Sequence, residues 1–438
     1  MINFKYGIED VPKKKSEHLL LSVQHVFAMF GSTILVPILI GLDVSVAIFC
    51  AGMGTLIYSF TTKQKVPVFI GSSFAYISLL GALMQTEGRS GVAFAVICVG
   101  ILYVLISLIT MMIGVKWLDY VLPAVVMGPL VIVIGLSLAP IAMANSGLSI
   151  DNFNFKSVIV ALITLLATLF ALEKGNSFIK SVPILIGIFV GYIAAFILGI
   201  VDLSSFENLQ FFKVPEFNII LIDGNFKFNS SILLAVIPLV IVTIAEHIGD
   251  HTVGSAITGR NFLKDPGLKR TILGDGLATL CAGIIGGPVN TTYAENTGVI
   301  ILTKVASIKV IQLAGVFAML IAFINPIAIF ISTIPTPVMG GISIVLFGLI
   351  AQNGVRILMN ARIDFNHTRN MIIVAVILVV GLGGGYFAFN LFNTQFVFQG
   401  MSLAAIFGIG IHLVLPDKHL SLKPDATLAD EMIEDDLI

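Results

Sequence analysis

Apolar runs of close to 20 residues repeat along almost the whole chain, divided by short breaks of polar residues, Gly and Pro. A helix of that length crosses a hydrocarbon core of about 30 Å. The pattern predicts spans at 18–40, 45–61, 66–84, 91–114, 117–143, 157–172 and 181–201. After a polar loop it predicts a second set at 230–255, 270–287, 290–304, 308–331, 336–355, 370–388 and 399–416. Of these fourteen, the third, ninth and tenth are short or interrupted by Gly, Pro and polar residues. A membrane β-barrel would instead repeat segments of about 10 alternating residues, which is not the organisation of this chain. The fold class is an all-α polytopic membrane protein.

Composition sharpens that reading. Hydrophobic residues make up 57% of the chain and charged residues 11%, with a mean hydropathy of +1.03, whereas soluble domains carry about 25% charged residues. Lys13, Lys14 and Lys15 precede a long span with no small-residue cleavage site, so the N-terminus is not expected to be a removed signal peptide. Neither end offers a soluble domain, which puts the expected function inside the membrane. Cys50, Cys98 and Cys281 lie in apolar stretches without C-x-x-C spacing and read as small packing residues.

The net charge of −1 averages over two sides of a bilayer, and its distribution says more. With a cytoplasmic N-terminus, 20 of the 24 Lys and Arg residues fall on inner segments, including Lys304, Lys309, Arg356, Arg362, Lys418 and Lys423. Only Arg89, Lys156, Lys213 and Lys227 fall outside. The excess of inner positive charge supports that orientation and an even number of spans, with both termini cytoplasmic.

The halves resemble each other. Pro123-Ala-Val-Val126-Met127-Gly128 opens the fifth span, and Pro335-Thr-Pro-Val338-Met339-Gly340 opens the twelfth. Pro67-Val68 before Gly71-Ser-Ser-Phe74-Ala75 likewise answers Pro288-Val289 before Thr292-Tyr293-Ala294. Two matches at compatible offsets predict a seven-plus-seven repeat, 18–201 and 230–416. Seven is odd, so the second copy enters from the opposite side; inverted repeats of this kind build secondary transporters.

Within hydrocarbon, irregular backbone survives only where protein or a cavity covers it. Gly71 to Tyr76 and Asn290 to Glu295 are short, polar and β-tolerant, and each precedes an apolar half-helix. They are predicted to be extended segments meeting near the midplane, with free amides and the positive half-helix ends facing a cavity. Such a place suits a polar ligand with carbonyl oxygens. Thr292-Tyr-Ala-Glu295 also fits a capping box, in which Glu295 would satisfy orphan amides.

A second constellation, Thr243-Ile-Ala-Glu246-His247-Ile-Gly-Asp250-His251, lies in the eighth span. Glu246 and Asp250 share one helix face, His247 and His251 an adjacent one. Asp275 adds an acid in the ninth span, and no Lys or Arg is expected at this depth to pair with them. Ionisable groups so placed face a pathway or one another. The His pair lacks a third close ligand, so no metal is expected. Gln24-His25 in the first span reads first as a hydrogen-bonded structural link, with ligand contact as the alternative.

Glu295-Asn296-Thr-Gly298-Val-Ile-Ile-Leu-Thr303-Lys304 matches the pattern Q/E/P-N-x-G-x-x-x-x-T-R/K/G at every defined position. With Gln24-His25 and Ala245-Glu246-His247, it resembles the nucleobase–ascorbate transporter family over nearly the full chain. Phe27-Ala-Met-Phe-Gly31, Gly71-Ser-Ser-Phe74-Ala75 and Asn290-Thr-Thr-Tyr293 are most similar to its bacterial uracil:proton symporters. The resemblance implies a core domain from 18–115 and 230–333 and a gate domain from 116–201 and 336–416. It also implies short antiparallel strands in spans three and ten. By match of position, amides of Phe74 and Ala294 would meet uracil oxygens, and Glu246 and Glu295 would accept from its ring N–H groups. Glu246, Asp250 and His247 would carry proton coupling, with Gln24, His25, Tyr293 and Asn296 in support. A relative with this pattern has Gly at the place of Ala294 and His at the place of Asp250.

The implied activity is uracil uptake with protons across the cytoplasmic membrane of a bacterium, by alternating access. The proton gradient is the energy source, without cofactor or nucleic-acid partner, and a homodimer through the gate domain is implied. The alternative within the family is a xanthine or uric acid carrier, whose members tend to have Gln where this chain has Glu295. A channel would use charge rings around an open pore. An intramembrane enzyme would need a catalytic motif, and G-x-S-x-G and H-E-x-x-H are both missing.

Overall fold

The computed structural model describes residues 3–206, 210–220, 229–391 and 394–415. Lys227, Lys418 and Lys423, three of the charges that bear on orientation, and residue 416 of the last predicted span lie outside the described residues.

The first half runs α1 (Lys15–Ile40), α2 (Val44–Thr61), β1 (Ile70–Ser72), α3 (Ile77–Thr86) and α4 (Gly88–Ile113). It continues through α5 (Lys116–Val121), α6 (Ala124–Ser137), α7 (Ala139–Asn145), α8 (Phe155–Lys174), α9 (Ser177–Ser181) and α10 (Pro183–Ile197). The second half runs α11 (Ser230–Thr258), α12 (Leu268–Ile284), β2 (Asn290–Thr292), α13 (Ala294–Thr303), α14 (Ile308–Ile321) and α15 (Asn325–Ser332). It ends with α16 (Thr336–Asn360), α17 (Thr368–Leu382), β3 (Tyr386–Leu391), β4 (Thr394–Gln399) and α18 (Met401–Val414). These elements make fourteen spans in two inverted sets of seven, the all-α polytopic class expected from the apolar pattern.

Helix ends follow local chemistry. Asp43 caps α2 by accepting from the Val46 amide, and Gly41 and Gly259 close α1 and α11 in the left-handed conformation. Pro140 and Pro326 open α7 and α15, so the fifth span is built from α5, α6 and α7 and the eleventh from α14 and α15. The ninth span is short, as expected, at 17 residues. Its glycines do not interrupt it, and α12 is one continuous helix. Gly276 instead lets α4 approach, since a Cβ there would stand 2.8 Å from the Tyr103 side chain.

The two halves meet at β1 and β2, which pair antiparallel with Ile70 opposite Thr292 and Ser72 opposite Asn290. Each strand is only three residues long, because helical backbone resumes at once: a single 3-10 turn, Phe74–Tyr76, leads into α3, and α13 begins at Ala294. Around this pair, α2, α4, α12 and α14 pack as one group, while α6 packs with α16 and α17, and α8 with α10 and α16. The apolar pattern leaves 389–398 as a connection, but β3 and β4 form a hairpin there. Its alternating aromatics, Phe387, Phe389, Phe396 and Phe398, are a period-2 signal too short to stand out beside the helical spans.

Gly71 in β1 is a position where only hydrogen fits. A Cβ there would lie 2.7 Å from the Tyr293 ring. That ring cannot swing away, because its hydroxyl donates to the Ser72 carbonyl at 3.0 Å and receives the Thr33 hydroxyl at 3.2 Å. Gly71→Ala is therefore expected to destabilise the strand pair by about 1–3 kcal/mol, as overpacking does. Thermal unfolding in detergent checks this, with a lower Tm expected than for Ser78→Ala in neighbouring α3.

Candidate functional site

Phe74 and Ala294 are the first residues of their helical segments, so their N–H groups have no intrahelical acceptor. Both helix starts carry partial positive charge, and the β1–β2 pairing brings them to one cavity. That cavity, of about 210 Å³, is lined by Phe74, Glu246, Gly249, Asp250, Tyr293, Ala294 and Glu295 on one side. Val131 of α6 and Leu346, Asn353 and Arg356 of α16 stand on the other. The Phe74 ring meets Phe347 edge-on at 5.9 Å between centroids.

The carboxyl groups are held differently. Glu295 Oε1 accepts from the Ser32 hydroxyl at 2.6 Å, which orients the group at the cavity wall. The predicted capping box does not form. The N-cap is Tyr293, without a side-chain cap bond, and Thr292 donates instead to Asp250 at 2.5 Å. Glu246 Oε2 is buried with no partner. Thr243, one turn before it, receives the Tyr103 hydroxyl at 2.7 Å and meets that of Tyr76 at 3.0 Å, which fixes this part of α11.

The two histidines of α11 turn away from the cavity. His247 Nδ1 lies 2.6 Å from Asp275 Oδ2 of α12, and the His251 ring stacks on His247 with centroids 4.0 Å apart. His251 continues the chain to the Tyr58 hydroxyl and bonds the His247 carbonyl through Nδ1. Gln24 donates to Ser181 at 2.5 Å, and Asn296 donates to the His25 carbonyl at 3.0 Å. Gln24, His25, His247 and Asn296 thus stand behind the cavity, whereas Phe74, Glu246, Asp250, Tyr293, Ala294 and Glu295 line it.

Two contributors do not follow from the motifs. Ser32 sits in the small polar run Gly31-Ser32-Thr33 of α1, which is the one local signal of its role. Arg356 falls in an inner loop by hydropathy, where no cation is expected beside the acids. Instead α16 runs on to Asn360, and Arg356 lines the same cavity as Glu246, Asp250 and Glu295.

A cavity with convergent carboxyl groups between broken helices, at the meeting of two inverted halves, defines a membrane carrier of the secondary-transporter class. The chain belongs to the permease family, whose model matches residues 16–388. It is 42% identical over 413 residues to the uracil permease of Bacillus caldolyticus, covering 94% of each chain. It is 38% identical to the uracil permease of Escherichia coli K12, again covering 94% of each. Among solved structures, the transmembrane domain of the cyanobacterial bicarbonate transporter BicA matches with a TM-score of 0.63 at 14% identity, over 92% of this chain and 99% of that one. SLC26A9 matches with a TM-score of 0.64 at 12% identity, over 92% of this chain and 66% of that one. Those two likenesses concern the fold.

Proposed function

We propose that this integral membrane protein takes up uracil together with protons, by alternating access, across the cytoplasmic membrane of a bacterium. The observation that carries the reading is the cavity itself: two unpaired helix-start amides, at Phe74 and Ala294, stand beside two carboxyl groups, at Glu246 and Glu295. Uracil presents alternating C=O acceptors and N–H donors on one edge, and this set of donors and acceptors is complementary to it. The names of the relatives above support the same substrate.

A second cavity, of about 1010 Å³, lies beyond the same turn, lined by Ala75, Leu136, Leu239, Gln399 and Ser402. Spaces on both sides of one short turn suit a site offered to each face of the membrane in succession. The reading further takes the α5–α10 and α16–α18 helices as a gate against which the remaining core moves, and as the surface of a homodimer. It places both termini in the cytoplasm, following the charge distribution.

Uptake of labelled uracil into proteoliposomes, with and without an inward proton gradient, tests the reading. Saturable uptake that the gradient drives above equilibrium is expected; uptake indifferent to the gradient overturns the coupling, and none overturns the substrate. Asp250 adds a separate expectation. It lies one turn, about 6 Å, along α11 from Glu246, and a charge there helps to hold a proton on its neighbour. Asp250→Asn is expected to move the pH profile of uptake to lower pH, read by initial rates across an outside-pH series.

A further inference from the structure

One wall of the cavity remains without a role. On α16, Gln352, Asn353 and Arg356 all line it, and spacings of three and four residues put Asn353 and Gln352 beside Arg356 on one helix face. Arg356 is the one cation among the lining residues, and three carboxyl groups share the space with it. Even so, it forms no ion pair among the described residues. Ile357, the next residue, fixes the height of this wall: a Cβ on Gly249 would lie 2.8 Å from Ile357 Cδ1, and Gly249 adjoins Asp250. The walls are therefore complementary. The α11–α13 wall supplies carboxyl acceptors, and the α16 wall supplies side-chain N–H donors.

We propose that Asn353 and Arg356 form a second station for the nucleobase, receiving its carbonyl oxygens as the ring leaves Glu246 and Glu295. The inference rests on the uptake reading above and adds specificity-determining residues on the opposite wall. A guanidinium offers donors in a fixed fork and suits a planar ring with exocyclic oxygens better than an ammonium does. The same donors would attract a pyrimidine bearing a carboxylate, which the acid wall alone would repel.

The test uses the full-length protein and whichever nucleobase the wild type binds, so that an error about uracil does not mask the result. Equilibrium binding to purified protein, exchange turnover in proteoliposomes and competition by 6-carboxyuracil are measured for Arg356→Gln, Arg356→Lys and Asn353→Ala. Arg356→Gln is expected to leave the binding constant within about twofold, while exchange turnover falls about tenfold, the scale of one hydrogen bond to a charged group. Competition by 6-carboxyuracil should weaken by a similar factor in Arg356→Gln and be partly restored in Arg356→Lys. Asn353→Ala should lower turnover by a smaller factor. Unchanged turnover and unchanged competition in Arg356→Gln overturn the station. So does loss of nucleobase binding in parallel with turnover, since Arg356 would then belong to the primary site or to folding. A wild type that binds a nucleobase other than uracil refutes the substrate reading alone.

Discussion

Glu295→Gln is expected to lower kcat/KM for uracil by about a hundredfold, the upper range for losing a hydrogen bond to a charged group. The geometry makes the direction definite. Ser32 already donates to Glu295 Oε1 at 2.6 Å, so the amide oxygen of Gln would keep that bond and turn its NH₂ to the cavity. A donor would then face the ring N–H that the proposed mode of binding directs at the carboxylate oxygen. For the same reason the wild type should reject cytosine, whose N3 lacks the proton; rejection of a substrate missing a required N–H reaches about 10⁴-fold. Competition against labelled uracil decides both points. If cytosine or xanthine displaces uracil as well as unlabelled uracil does, Glu295 does not read the ring.

Glu246→Gln is expected to abolish accumulation while leaving exchange. A pH difference of one unit, worth about 1.4 kcal/mol per proton, sustains about a tenfold substrate ratio for one-proton symport. The variant should bring that ratio to about one. Glu246 suits the role because Oε2 is buried and unpartnered, while the Thr243 turn before it is held by Tyr76 and Tyr103. A carboxyl group alternates between charged acceptor and neutral donor, and an amide does not. Gln keeps the size of the side chain and, because no partner fixes Oε2, can turn its amide oxygen to the ring N–H, so counterflow of labelled against unlabelled uracil should persist at a reduced rate. A variant that still concentrates uracil in response to pH would falsify the assignment of the coupling proton.

Much of the site is legible in the sequence. The polar run from Asn290 to Glu295 stands out because hydrocarbon has no water to satisfy irregular backbone, and Thr291 to Glu295 do line the cavity. Glu246 and Asp250 are recognisable as an exceptional pair at membrane depth, and both line the cavity. Partners are harder to read. Spacing makes Thr292 part of a cap for Glu295, yet it serves Asp250, 42 positions away. Hydropathy makes Arg356 a loop cation because it falls at that point, although the helix continues past it.

The sequence by itself determined the number of spans, the short third, ninth and tenth among them, the inverted repeat and the residue types that would be polar at depth. These follow from local rules: the length that hydrocarbon demands, the breaks that Pro and Gly enforce, and the desolvation of any unpaired group. Only the tertiary structure decided which groups meet. Glu246 and His247 are neighbours on α11, but one faces the cavity and the other bonds Asp275, because the histidine side of that helix meets Asp275 of α12 and Tyr58 of α2 and the other side meets the cavity. Helical periodicity defines a face and says nothing of what the face will meet. The pairing of β1 with β2, the bond from Ser32 to Glu295 and the entry of Arg356 into the cavity join residues many positions apart. Such contacts arise from packing between spans, which no local pattern encodes.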